Sequence, residues 1–287
     1  MAGSTLLDLA TGWTLFSGLL LSSGAVAYRW TILPRIPDVG ADARLGAEKV
    51  LVQLAVLGVG LVSAGLVLYL FRQFQEFRDP FAPAIDELRL LLTTPWGGMW
   101  KGGLLGLVVA LGGFALSIRG GAASWVVGSI GVLGLGFFPG LTGHAAGAVE
   151  GRTAALLTDA IHVWAGGAWI GGLTVVVALD ARLGSRSPAF ALPGAIPFFT
   201  PLALVSDGTL LVTGAIRAWT ELESFAAMGS TGYGRILLLK IALVGVVVTL
   251  GAVNWRRLTP RLGTEDGVRA LRRSARLELL AANAVLL

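Results

Sequence analysis

Apolar runs of about 18 residues or more recur along this chain of 287 residues, and no other feature limits its fold so strongly. About 20 helical residues, at about 1.5 Å rise each, cross a hydrocarbon layer of about 30 Å. Lipid offers no hydrogen-bond partner to the backbone, so a spanning segment must satisfy its own amides and carbonyls. The runs are far longer than the short alternating segments of an outer-membrane barrel. The expected fold is therefore all-α: a polytopic transmembrane bundle of about eight helices, with residues 1–287 forming one integral membrane domain and no soluble domain. Charged residues make up 14% of the chain, against roughly 25% in an ordinary soluble domain. The 41 glycines suit close helix packing in a membrane and would be costly in soluble helices. Cysteine is absent, which removes disulfides and thiolate metal sites.

Helices are expected near Thr5–Ala27, Ala47–Phe71, Gly98–Ile118, Ser124–Val149, Thr153–Leu179, Ile196–Trp219, Gly234–Trp255 and Leu271–Leu287. The last is only about 17 residues, short for a straight crossing, so it is either tilted or cut. The start, MAGSTLLDLATGW, has no basic leader region and carries Asp8, so the first run is expected to be a retained helix. Arginine and lysine concentrate in the first, third, fifth and seventh connections, from Arg29 and Arg35 to Arg272, Arg273 and Arg276. Because basic loops resist translocation, both termini are expected outward. The net charge of +5 belongs to this topology and to contact with anionic lipid. It is not a nucleic-acid face, which needs a folded basic module around it. Between the second and third spans, RQFQEFRDPFAPAIDELRLLLTTPW mixes charge with Phe, Leu and Trp, and an interfacial helix is expected over Pro83–Leu92.

Ionisable residues within the spans are the functional candidates. The chain has two histidines, His144 and His162, in one apolar hairpin that turns near Glu150–Arg152. At 1.5 Å per residue they lie roughly 10 and 16 Å from that turn, on antiparallel neighbours. Pro139 and Gly140 interrupt the helix just before His144, and a broken membrane helix lines a site or is buried in protein. Asp159, His162, Gly166 and Trp169 follow three- and four-residue spacing and are expected on one face. Asp159 is placed either to orient the His162 imidazole or to ligate a metal itself. Met99 and Met228, expected at the same outward face, would add thioether ligands suited to copper, especially Cu(I). The residues alone leave three readings open: a metal site, a bis-histidine b-type haem site, or a hydrogen-bonded packing pair. Lys240 is expected to snorkel outward, Glu278 to meet Asn254 or an arginine as structural glue, and Asp207, near the middle of its helix, to need either a partner or a proton that keeps it neutral.

Five ordered blocks resemble the copper-resistance D (CopD) membrane domain: GHA at Gly143–Ala145, DAIHVWAGGAWIGGL at Asp159–Leu173, LLVTGAIRAW at Leu210–Trp219, TGYGRILLLKIALVGVVVTLGAVNW at Thr231–Trp255, and LRRSARLEL at Leu271–Leu279. Residues 140–287 form the similar core, and residues 1–139 match only loosely. The resemblance implies a bacterial inner-membrane protein that handles or transports copper, often with a periplasmic copper-binding partner of the CopC type. It implies that His144 and His162 are the family's histidine positions and Asp159 its preceding acid. Asp207 departs from the pattern, and no fused CopC-like domain or methionine cluster accompanies it. No phosphate-binding glycine loop is visible, so movement of copper would be passive or ion-coupled, and no enzyme is expected. The alternative is an accessory subunit that uses a CopD-like scaffold within a larger membrane complex.

Overall fold

The computed structural model describes residues 2–37, 39–79, 81–117, 121–143, 151–221 and 232–286. The α-helices are α1 (Ala2–Ala27), α2 (Ala41–Phe77), α3 (Ala84–Thr93), α4 (Pro95–Ser117), α5 (Ala122–Gly136), α6 (Phe138–Thr142), α7 (Arg152–Gly166), α8 (Gly172–Leu183), α9 (Leu192–Glu221), α10 (Gly232–Val253) and α11 (Glu265–Val285). Three π-helical segments, Tyr28–Ile32, Gly167–Gly171 and Asn254–Leu258, continue α1, α7 and α10.

The all-α polytopic class is what the structure shows. Among the described residues, seven helical runs are long and apolar enough to cross a membrane. The eighth expected helix is also present as α11. It is not one of the seven, because Arg269, Arg272, Arg273 and Arg276 interrupt its apolar residues. Thr264 starts it, its hydroxyl accepting from the Gly267 amide at 3.1 Å, the usual device for satisfying an orphan donor at a helix start. The expected surface helix is α3, capped at Pro83 and ended at Thr94, one residue displaced from the sequence reading. Leu91 is buried while Ile85 and Leu90 are exposed. The helix expected over Ser124–Val149 is divided at Phe137 into α5 and α6, beside the interruption expected from Pro139 and Gly140, and its residues 144–149 lie outside the described residues.

The chain divides into two compact units. The first comprises Met1–Ser23 and Ala55–Trp164. Here α4 and α5 lie backbone against backbone: a Cβ on Gly113 would strike Gly128, and one on Gly131 would strike Ala110. Small residues allow that approach, and dispersion rather than water expulsion rewards it in lipid. Phe114 and Trp125, both fully buried, meet edge to face at 5.3 Å beside it. At one end Arg72 pairs with Asp8 at 2.7 Å, and the Tyr69 hydroxyl donates to the Thr142 carbonyl at 3.1 Å. The N-terminal segment and the second and fourth connections thus meet at one end of this unit, as alternating topology requires.

The second unit comprises Gly24–Leu54 and Ala165–Leu287. Its polar links join the first, fifth and seventh connections. Arg29 pairs with Glu48 at 3.2 Å, Arg182 donates to Gln53 at 2.7 Å, and Arg272 grips Asp180. The first, fifth and seventh connections, which carry most of the arginine, are therefore tied together within this unit.

Candidate functional site

In the first unit the site grows from the break between α5 and α6. Pro139 has no amide hydrogen to give to the preceding turn, and the Phe137 amide turns back to the Gly134 and Leu135 carbonyls. Residues of α7 fill the space that the break opens. A Cβ on Gly140 would sit 3.1 Å from Oδ2 of Asp159, so the absence of a side chain there admits the carboxylate. A Cβ on Gly136 would collide with Nε1 of Trp164, and the Trp164 ring meets Phe137 edge to face at 5.2 Å. Asp159 is 6% exposed. His162, one turn further along α7, is half-buried.

The structure therefore sets one acid and one imidazole of the expected trio along α7, with Asp159 against the predicted Pro-Gly break. His144 and Met228 lie outside the described residues. Met99 is half-buried in α4. Among the described residues, no three His, Asp or Glu side chains converge as a metal cage. An aspartate oxygen is a hard ligand and an imidazole nitrogen a borderline one, a pair compatible with several divalent metals, and an added thioether would favour Cu(I).

Trp169 is a correction to the sequence reading. Asp159, His162 and Gly166 keep α-helical spacing within α7, but the π segment begins at Gly167. A wider turn spoils the count of 3.6 residues on which the shared face depended. In the second unit the Trp169 indole is instead hydrogen-bonded to Glu278. The Glu278 carboxylate, 5% exposed, also accepts from Nδ2 of Asn254 at 2.8 Å. The Glu278–Asn254 contact was legible in the sequence; the indole was not.

A second polar centre in this unit had no counterpart in the sequence reading. Asp180, at the end of α8, takes Nε of Arg272 on Oδ2 at 2.8 Å and Nη2 on Oδ1 at 3.1 Å. It also accepts from the Leu192 amide at 3.2 Å, so one carboxylate joins the ends of α8 and α9 to α11. The hydrogen-bonded carboxylate holds the Arg272 guanidinium above its ordinary value. Such two-point pairing is a particular property of arginine. The available signal was a single acid, Asp180, amid the basic residues of an arginine-rich connection.

Fold and buried polar centres together define a multi-pass α-helical membrane protein. Within that class, residues 193–287 match the family described as copper resistance protein D, CopD. The copper transport protein CutJ of Bacillus subtilis (strain 168) is 29% identical to this chain over 131 residues, covering 46% of this chain and 24% of CutJ. The similarity thus spans about a quarter of that relative's length. No solved structure matches the chain. The resemblance read from the sequence blocks is found again here, and the matched stretch contains Asp207, Asn254, Arg272 and Glu278. His144, Asp159 and His162 precede it.

Proposed function

We propose that this chain is a copper-handling protein of the bacterial inner membrane, a carrier rather than an enzyme. It receives copper at the outer face through His144 and His162, assisted by Asp159. The observation that carries the reading is the packing of Asp159 against Gly140 at a helix break, one turn before His162, in a chain whose C-terminal third matches CopD. A carboxylate at that depth is costly unless it serves a cation or a hydrogen-bonded partner. Copper is the cargo, and Met99 and Met228 would supply softer ligands along its route. Both termini face outward in this scheme, and a periplasmic copper-binding protein delivers the ion.

Copper bound per purified protein tests the proposal. Wild type should retain the metal after desalting, and His144→Ala with His162→Ala should lose it. Equal, negligible copper in both would sink the reading.

A second reading, an accessory subunit of a larger membrane complex, is favoured by α10. Among the described residues, only 6% of the apolar window in Gly234–Arg261 is buried within the chain. Such a helix has room for a partner's helix as well as for lipid. Stoichiometric co-purification in mild detergent would support this reading; isolation as a free monomer would count against it.

A further inference from the structure

The environment of Glu278 has too many acceptors. Its two oxygens face two donors, Nδ2 of Asn254 and the Trp169 indole. Oδ1 of Asn254, on a side chain only 9% exposed, is buried without a hydrogen-bond partner. Asp207, on α9, lies within electrostatic range of Glu278, and its Oδ1 is likewise buried and unpartnered. Four oxygens in this neighbourhood are thus served by two N–H groups, and an acceptor left bare inside a protein is destabilising.

Among the described residues, no cation pairs with these oxygens. On α11 itself, Arg272 is six residues earlier and engaged with Asp180, while Arg273 and Arg276 are exposed. From the π segment beside Asn254, Arg256 and Arg257 are exposed, and Arg256 lies over the Trp255 ring. From the following turn, Arg261 is exposed, and among the described residues it makes no ion pair with Glu278. On α10, Lys240 is 14 residues before Asn254, roughly 20 Å along the helix. On α8 the acid is Asp180, already paired. On α9, Arg217 lies ten residues beyond Asp207, about 15 Å along that helix.

We infer that Glu278, clamped by Asn254 and Trp169 and facing Asp207, is a proton-binding site. A bound proton converts one acceptor into an O–H donor and removes one of two like charges, the two things the cluster lacks. The reaction is a simple exchange, in which the carboxylate takes a proton from water and returns it. Glu278 lies on α11, outside the seven spans, and burial pushes its carboxyl up to about 7, with the Asp207 charge adding to the rise and the two hydrogen bonds opposing it. Loading and release therefore fall near neutral pH. Gly251 leaves the carboxylate room: a Cβ there would still stand 3.7 Å from Oε1. The site is independent of the copper reading, since none of its residues is among the proposed copper ligands.

Infrared difference spectroscopy of the full chain in lipid nanodiscs, titrated with acid and base, tests it. Wild type should show a protonated-carboxyl absorption that disappears with a midpoint well above the ordinary glutamate range. Glu278→Gln, which keeps an acceptor for Asn254 and Trp169, should lose that absorption while retaining helical circular dichroism. Asp207→Asn should move the midpoint to lower pH, because the like charge is gone. If Glu278→Gln fails to fold, Glu278→Asp should keep the absorption with a shifted midpoint. A wild type without a titrating carboxyl would overturn the proposal. So would the same absorption in Glu278→Gln, an unmoved midpoint in both Asp207→Asn and Glu278→Asp, or a midpoint that falls in proportion to added sodium, which would make this a sodium site.

Discussion

Asp159 and Glu278 are both carboxylates almost completely removed from solvent, at 6% and 5% exposure, yet their surroundings differ in kind. Asp159 fits because something is missing: Gly140 has no side chain, Pro139 no amide hydrogen, and the helix is broken beside it. Glu278 fits because something is supplied, an amide and an indole that donate to it. The first centre is limited by space and the second by charge. Membrane helices offer both routes, since a break exposes backbone only where protein or a cavity surrounds it, and a buried ion persists only with partners.

This difference predicts which substitutions hurt each unit. The largest effect is expected at Gly136. In Gly136→Ala the new methyl meets the Trp164 indole and must displace a large ring, an overpacking cost of about 3 kcal/mol. Thermal unfolding in detergent should show it, with Gly251→Ala as the matched control. A Cβ at Gly251 makes only ordinary contacts at 3.7 and 4.0 Å, and alanine is the better helix former, so that variant should match or slightly exceed wild type. Equal losses at both glycines would erase the contrast between a space-limited and a charge-limited centre.

Next in size is Asp180→Ala, which strips Arg272 and the Leu192 amide of their acceptor. Removing one member of a buried pair costs more, but the Arg272 side chain is 39% exposed and water rescues part of its charge, leaving about 2 kcal/mol. Chemical unfolding in mixed micelles reads the loss, and a neutral outcome would deny that charge pairing organises the second unit. The smallest effect belongs to Tyr69→Phe, which deletes one hydrogen bond to the Thr142 carbonyl. Interhelical hydrogen bonds within bilayers average about 0.6 kcal/mol. A loss of several times that would show that polar contacts matter in the first unit as much as in the second.

The parts of this molecule legible in its sequence are those governed by local rules. Span length follows from apolar runs, the division at Phe137 from Pro139 and Gly140, and the α3 surface helix from its mixture of charge and apolar residues. The Glu278–Asn254 bond was visible as two polar residues within apolar helices that needed each other. What stayed hidden depends on where helices meet or how they are wound. The π segment at Gly167–Gly171 has no residue that demands it; the count of 3.6 simply fails there, and Trp169 turns to a different partner. Asp180 and Arg272 are separated by 92 residues, and nothing local to either reveals the other. The histidine hairpin was legible as a candidate, but its chemistry depends on His144 as well as on the acid and imidazole along α7.

That same separation also gives the Asp180 staple a timetable. A ribosome adding about 5–20 residues per second needs roughly 5–20 seconds to travel from Asp180 to Arg272. Throughout that interval α8 has been made while the guanidinium that will neutralise its terminal carboxylate has not. The end of α8 stays hydrated until α11 emerges, so synthesis of α11 is what closes the second unit.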